Sequence, residues 1–180
     1  MKILILGIGN ILFGDEGIGA HLANYLDEKY DFVSQEHTVD IVDGGTLAQL
    51  LIPTITQYDY TILIDCVNTD DGKIGDVYFF DFEAVPENIT WQGSAHEVEM
   101  LQTLQMIQLM GDLPPTKIVG VIPYVIGENS TFEMTDEVMK ASVLMEDIII
   151  KHLTSLGIKS HIKKECLLKD IAKLSYKRGI

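Results

Sequence analysis

The sequence predicts an α/β fold in which helices layer against a mostly parallel sheet. Short, continuously apolar runs closed by glycine or aspartate alternate along the chain with longer stretches of helical periodicity. That alternation is the signature of strand–helix–strand units, and such sheets hold their functional residues beyond the carboxyl ends of the strands.

Lys2-Ile3-Leu4-Ile5-Leu6, followed by Gly7, reads as a buried parallel strand. A helix follows from Gly14 or Asp15 to about Leu26, with Ile18, Leu22, Ala23 and Leu26 on its inner face. Val39 to Val42 is the second strand, ended by Asp43-Gly44-Gly45; Thr46 is expected to N-cap a short helix that Pro53 closes. Tyr60 to Ile64 is the third strand, ending at Asp65. Asn68 to Lys73 is a turn, and Gly75 to Phe80 a further strand. An EF-hand reading of that turn fails, because Gly72 as sixth position puts Val67 and Tyr78 where ligands belong.

From Glu97 to Met110, residues Val98, Leu101, Leu104, Met106, Ile107 and Met110 recur at helical spacing, and Gly111 ends the segment. The methionines read as core filler. Lys117 to Ile122 is another strand, broken at Pro123. Thr135-Asp136-Glu137 then opens a long helix that reaches about Leu156-Gly157. The expected division is an α/β domain over 1–157 and a basic helical extension over 158–180.

The 180 residues carry a net charge of −14, unevenly spread. Residues 151–180 hold eight basic and two acidic side chains, a net +6, which leaves −20 on residues 1–150. An acidic body repels phosphates, so nucleic acid is not an expected partner. No apolar run reaches the roughly 18 residues of a membrane helix, and no secretory signal opens the chain. A cytoplasmic monomer is the expectation. Cys66 and Cys166, far apart and without CxxC spacing, are expected as free thiols, at least one of them buried.

The loop after the first strand reads Gly7-Ile8-Gly9-Asn10-Ile11-Leu12-Phe13-Gly14-Asp15-Glu16-Gly17-Ile18-Gly19. A dinucleotide fingerprint fails at Leu12, and Asp15 and Glu16 stand where a pyrophosphate would meet the helix. Acids there favour a cation. Glu16, Asp65 and His96, the last in Gly93-Ser94-Ala95-His96, are the candidate ligands. If they converge, they form a carboxylate–carboxylate–imidazole set suited to a zinc- or nickel-type ion with positions left open. Their plain alternatives are a dipole-complementing acid, a capped strand end and a helix-capping histidine. Asp43 sits at the same sheet edge and can orient a water or a peptide. No GxSxG elbow is present, Cys66 reads as an inert buried thiol, and His21, about one turn beyond Glu16, is expected at the surface, with a place facing the same cleft as the alternative.

The residues Gly7-Ile8-Gly9-Asn10, Gly14-Asp15-Glu16-Gly17-Ile18-Gly19, Asp43-Gly44-Gly45-Thr46, Asp65-Cys66 and Ser94-Ala95-His96 together resemble the nickel–iron hydrogenase maturation endopeptidases. The resemblance implies a twisted, mainly parallel five-stranded sheet flanked by helices. It also implies metal contact by Glu16, Asp65 and His96, with Asp43 in cleavage and Glu16 counted as catalytic beside it. Its implied partner is a hydrogenase large-subunit precursor whose C-terminal extension is removed after nickel insertion. The nickel arrives with the substrate, and no organic cofactor is implied. The rival readings are a nickel chaperone that binds without cutting and, more distantly, a dinucleotide oxidoreductase.

Overall fold

A computed structural model describes residues 1–90, 95–124 and 130–178. In chain order the elements are β1 (Lys2–Ile8), a 3-10 turn (Gly14–Gly17), α1 (Ile18–Lys29), β2 (Tyr30–Val33) and β3 (Thr38–Gly45). A second 3-10 turn (Ala48–Leu51) leads into α2 (Ile52–Ile55), β4 (Tyr60–Cys66), β5 (Asn68–Thr69) and β6 (Val77–Asp81). After the 3-10 turn Phe82–Ala84 come β7 (Ile89–Thr90), α3 (Ala95–Met110), β8 (Thr116–Val121), α4 (Asp136–Ser155), β9 (Lys159–Ile162) and α5 (Leu168–Arg178).

The main sheet has five strands in the order β3-β1-β4-β8-β6. β1 pairs in parallel with β3 and β4, and β4 with β8; only β6 runs antiparallel, against β8. The α/β class and mostly parallel five-stranded sheet match the expectation. The central strands are apolar on both faces because helices cover both. Ile3 and Ile5 of β1 and Ile62, Ile64 and Cys66 of β4 face α1, α4 and α5. The alternate residues Leu4, Leu6, Ile8 and Leu63 face α3 and the short helices after β3.

Two glycines let α1 lie against the sheet. A Cβ on Gly7 would stand 2.0 Å from the Gly19 carbonyl oxygen, and one on Gly19 would stand 2.0 Å from the Ile8 carbonyl oxygen. The glycine-rich loop therefore serves close helix–sheet contact, the third use of glycine in nucleotide-type loops, without the phosphate. Across the helical layer, Lys29 Nζ meets Glu146 Oε1 at 2.6 Å, and the hydroxyls of Tyr25 and Tyr30 donate to the same carboxylate. This joins α1 to α4.

Four expectations need correction. Thr46 is no N-cap: Gly45 at φ +58° delays the helix start, Leu47 occupies the cap, and Pro53 lies in the first turn of α2, where its missing N–H costs nothing. Tyr30–Val33 was not read as a strand, yet it pairs antiparallel with Lys159–Ile162 in a two-stranded ribbon. Met106 and Met110 are exposed rather than core; Met100, Leu104 and Ile107 fill that layer. Residues 158–180 contain β9 as well as a helix, and Leu168, Ile171 and Ala172 of α5 are buried, the first two in the α1–α4 core cluster. Thr135 caps α4 as expected, accepting from Val138 N.

Candidate functional site

The carboxyl ends of β1, β3 and β4 meet at one edge of the sheet. Gly7 of β1 lies opposite Asp43 of β3 and opposite Ile64 of β4, so Asp43 and Asp65 flank the end of β1. Two strand spacings put their backbones about 10 Å apart. Side-chain alternation sends them to opposite faces. Asp43 follows Val39 and Ile41, which pack on the α1 side, whereas Asp65 follows Leu63, which packs toward α3.

Asp43 is exposed but fixed. Its Oδ2 accepts from Asn24 Nδ2 of α1 at 2.7 Å, and its Oδ1 accepts from Gly45 N at 3.0 Å. Two donors on one carboxylate set its direction and leave remaining lone pairs for solvent or a ligand. Asp65 is fully buried, and its Oδ1 accepts from Cys66 N at 2.8 Å. Glu16 lies half-buried in the 3-10 turn before α1, and burial raises its carboxyl above the usual range. Its backbone carbonyl accepts from Asn10 N at 3.0 Å, which closes the loop after β1. His96 occupies the first turn of α3, on the side of the sheet toward which Asp65 points; its side chain, like Ser94, lies outside the described residues. Among the described residues there is no group of three or more His, Cys, Asp or Glu placed to hold a metal ion.

Asp15 departs from the reading as a cation-favouring acid at the start of the helix. No side chain caps α1 or the turn before it. The Asp15 carboxylate is instead wholly buried and accepts from Tyr124 N at 2.9 Å, Thr135 N at 2.7 Å and Thr135 Oγ1 at 2.8 Å. It ties the loop after β8 and the start of α4 to the loop after β1. Backbone bonds from Gly14 N to Thr131 O and from Thr131 N to Leu12 O reinforce the join. This role was not legible in sequence, since its partners lie 109 and 120 positions away.

His21 is also buried, not at the surface as expected, with Nε2 beside the Cα of Gly17. Burial lowers its pKa to about 4, opposed by the Asp43 carboxylate. An imidazole thus lies under the loop that carries Glu16, and the sequence offered only its position one turn beyond Glu16. Cys66 is a buried free thiol, as expected, with Sγ donating to the Asp15 carbonyl at 3.5 Å; Cys166 is free and half-buried. Among the described residues no helix is long and apolar enough to cross a membrane.

Known proteins share this chain's family and fold. The family model for hydrogenase maturation proteases matches residues 20–152, a stretch that includes Asp43, Asp65 and His96 and begins after Glu16. A Wolinella succinogenes protein named HydD is 59% identical over 157 residues, which is 87% of this chain and 98% of that one. The hydrogenase 2 maturation protease of Escherichia coli K12 is 32% identical over 124 residues, covering 68% of this chain and 74% of its own. The solved structure of the hydrogenase maturating endopeptidase HybD from E. coli superposes with a TM-score of 0.78 at 27% identity, over 91% of this chain and 98% of that chain. Sequence family and fold point the same way: the chain belongs to the hydrogenase maturation proteases.

Proposed function

We propose that this endopeptidase removes the C-terminal extension of a nickel–iron hydrogenase large-subunit precursor once nickel is installed, and that it recognises the substrate through that nickel. The observation that carries the reading is the placement of Glu16 and Asp65 at one sheet edge, with Asp65 directed toward the helix whose first turn holds His96. Two carboxylates and an imidazole suit a borderline divalent ion. Three protein ligands at most leave room for an ion still held by the substrate.

Asp43 stands across β1 from Asp65, on the other face, and serves the scissile peptide rather than the metal. Its oriented carboxylate takes a proton from water as the oxygen attacks the peptide carbonyl carbon. The C–N bond breaks, and the proton passes to the departing amine, so water is consumed and no acyl-enzyme forms. The nickel, as part of the substrate, supplies Lewis acidity and fixes the peptide's position.

The test is single-turnover cleavage of a nickel-loaded precursor by wild-type protein, Glu16→Ala and Asp65→Asn. The expected result is a C-terminal peptide released by wild type only, with the variants retaining their fold by circular dichroism. Full cleavage by both variants would exclude the ligand assignment. Binding by wild type without a covalent change would make the protein a nickel-dependent checkpoint instead.

A further inference from the structure

The basic C-terminal region does not use all its charges alike. Lys151 pairs with Asp147 and Lys163 with Asp31, and Lys164 pairs with Glu28. Lys169 and Lys173 do not: among the described residues neither takes part in an ion pair. They lie four apart on α5, one turn from each other on one face. Both border a cavity of about 420 Å³ between α5, the start of α4 and the loop before it. That volume falls within the range of about 300–1,000 Å³ typical of small-ligand pockets.

The apolar part of the cavity's lining is Phe132, Met134, Met139 and Ala172, and Phe132 remains half exposed. Methionine side chains adapt to varied apolar shapes. Glu133 and Asp136, from the loop before α4 and its first turn, also line it, and they disfavour a polyanion. What fits is an apolar body carrying one carboxylate. The wall formed by residues 131–136 is the same segment that Asp15 and Gly14 clasp, so hydrogen bonds tie one wall of the cavity to the loop bearing Glu16.

Resting on the function proposed above, we infer that this cavity receives the C-terminus of the substrate's extension. Lys169 and Lys173 bind its terminal carboxylate, and the methionine-lined wall takes its last apolar side chains. A C-terminal extension ends in one free carboxylate by construction, which is the anion the cavity selects. The cavity therefore acts as a ruler at the far end of the segment to be released. α5 lies outside residues 20–152, so this recognition is an addition to the part of the chain the family model covers.

The experiment follows cleavage of nickel-loaded precursor by intact mass under steady-state conditions. Wild type is compared with the double variant Lys169→Ala/Lys173→Ala, each on precursor with its free carboxylate and on precursor ligated to a C-terminal amide. The expected result is a roughly tenfold rise in KM for the double variant, with kcat within about twofold. The amide should raise wild-type KM similarly and add nothing in the double variant. Unchanged KM in the variant, or an amide effect equal in both proteins, overturns the inference while leaving the proposed function intact. Failure of wild type to cleave either precursor overturns both.

Discussion

The Asp15 carboxylate accepts from both the backbone N–H and the hydroxyl of Thr135, at 2.7 and 2.8 Å. The same Thr135 hydroxyl oxygen accepts from Val138 N and so caps α4. One buried acid therefore sets the start of α4 and, through Tyr124 N, the loop after β8. Residue 16, directly after it, takes its position from the same clasp.

Asp15→Asn tests that clasp. Its three donors face both carboxylate oxygens, so either orientation of the carboxamide sets an NH2 against a backbone N–H. Leaving buried donors unmet costs about 1–3 kcal/mol. Urea denaturation should show a loss of that size. Thr135→Val, which loses the hydroxyl but keeps the backbone bond, should lose about 1–2 kcal/mol. A wild-type midpoint for Asp15→Asn would mean the loops are held by other contacts.

Asp43→Asn keeps the shape of an exposed side chain and should alter stability by about 0.5 kcal/mol or less. Loss of a general base should lower cleavage by roughly 10²–10⁴-fold. Asn24→Ala leaves the acid in place but removes the donor on its Oδ2, and a loss of about tenfold is expected. Comparable activity in wild type and Asp43→Asn would assign proton transfer elsewhere.

His21 gives the protein a defined acid sensitivity. Its folded pKa of about 4 lies below the ordinary histidine value of 6.5, so between these limits the unfolded chain binds more protons. The stability contribution is full above 6.5 and is lost as pH falls toward 4. The whole effect is on the order of 3 kcal/mol. Denaturation midpoints measured across this range should fall for wild type, and the slope should flatten in His21→Gln. Parallel slopes in the two proteins would place the titration on other groups.

Gly7→Ala should be the most damaging of these substitutions. The added Cβ would lie 2.0 Å from a backbone oxygen of α1, which no rotamer change relieves. A loss of about 3 kcal/mol or more is expected, read as a fall in Tm or as insoluble protein.

The central sheet was legible because β1, β4 and β8 are buried on both faces and therefore read as short unbroken apolar runs. The β2–β9 ribbon was not, since each strand is only four residues long, β2 follows α1 with no intervening turn, and β9 is largely exposed. His21 was misplaced for a related reason. Its helix packs against α4 and α5 as well as the sheet, and Ala20 and His21 are as buried as Ile18 and Leu22. Periodicity reports the face toward the sheet and is silent about a cover supplied more than a hundred residues later. Asp43 and Asp65 were legible as strand-end acids, but that they point to opposite faces follows only from the register around Gly7.

The measurement closest to the central claim is the intact mass of a hydrogenase large-subunit precursor incubated with this protein, in nickel-loaded and nickel-free forms. Loss of a C-terminal peptide from the loaded precursor alone is the predicted result. Equal cleavage of both forms, or of neither, would contradict recognition through the metal.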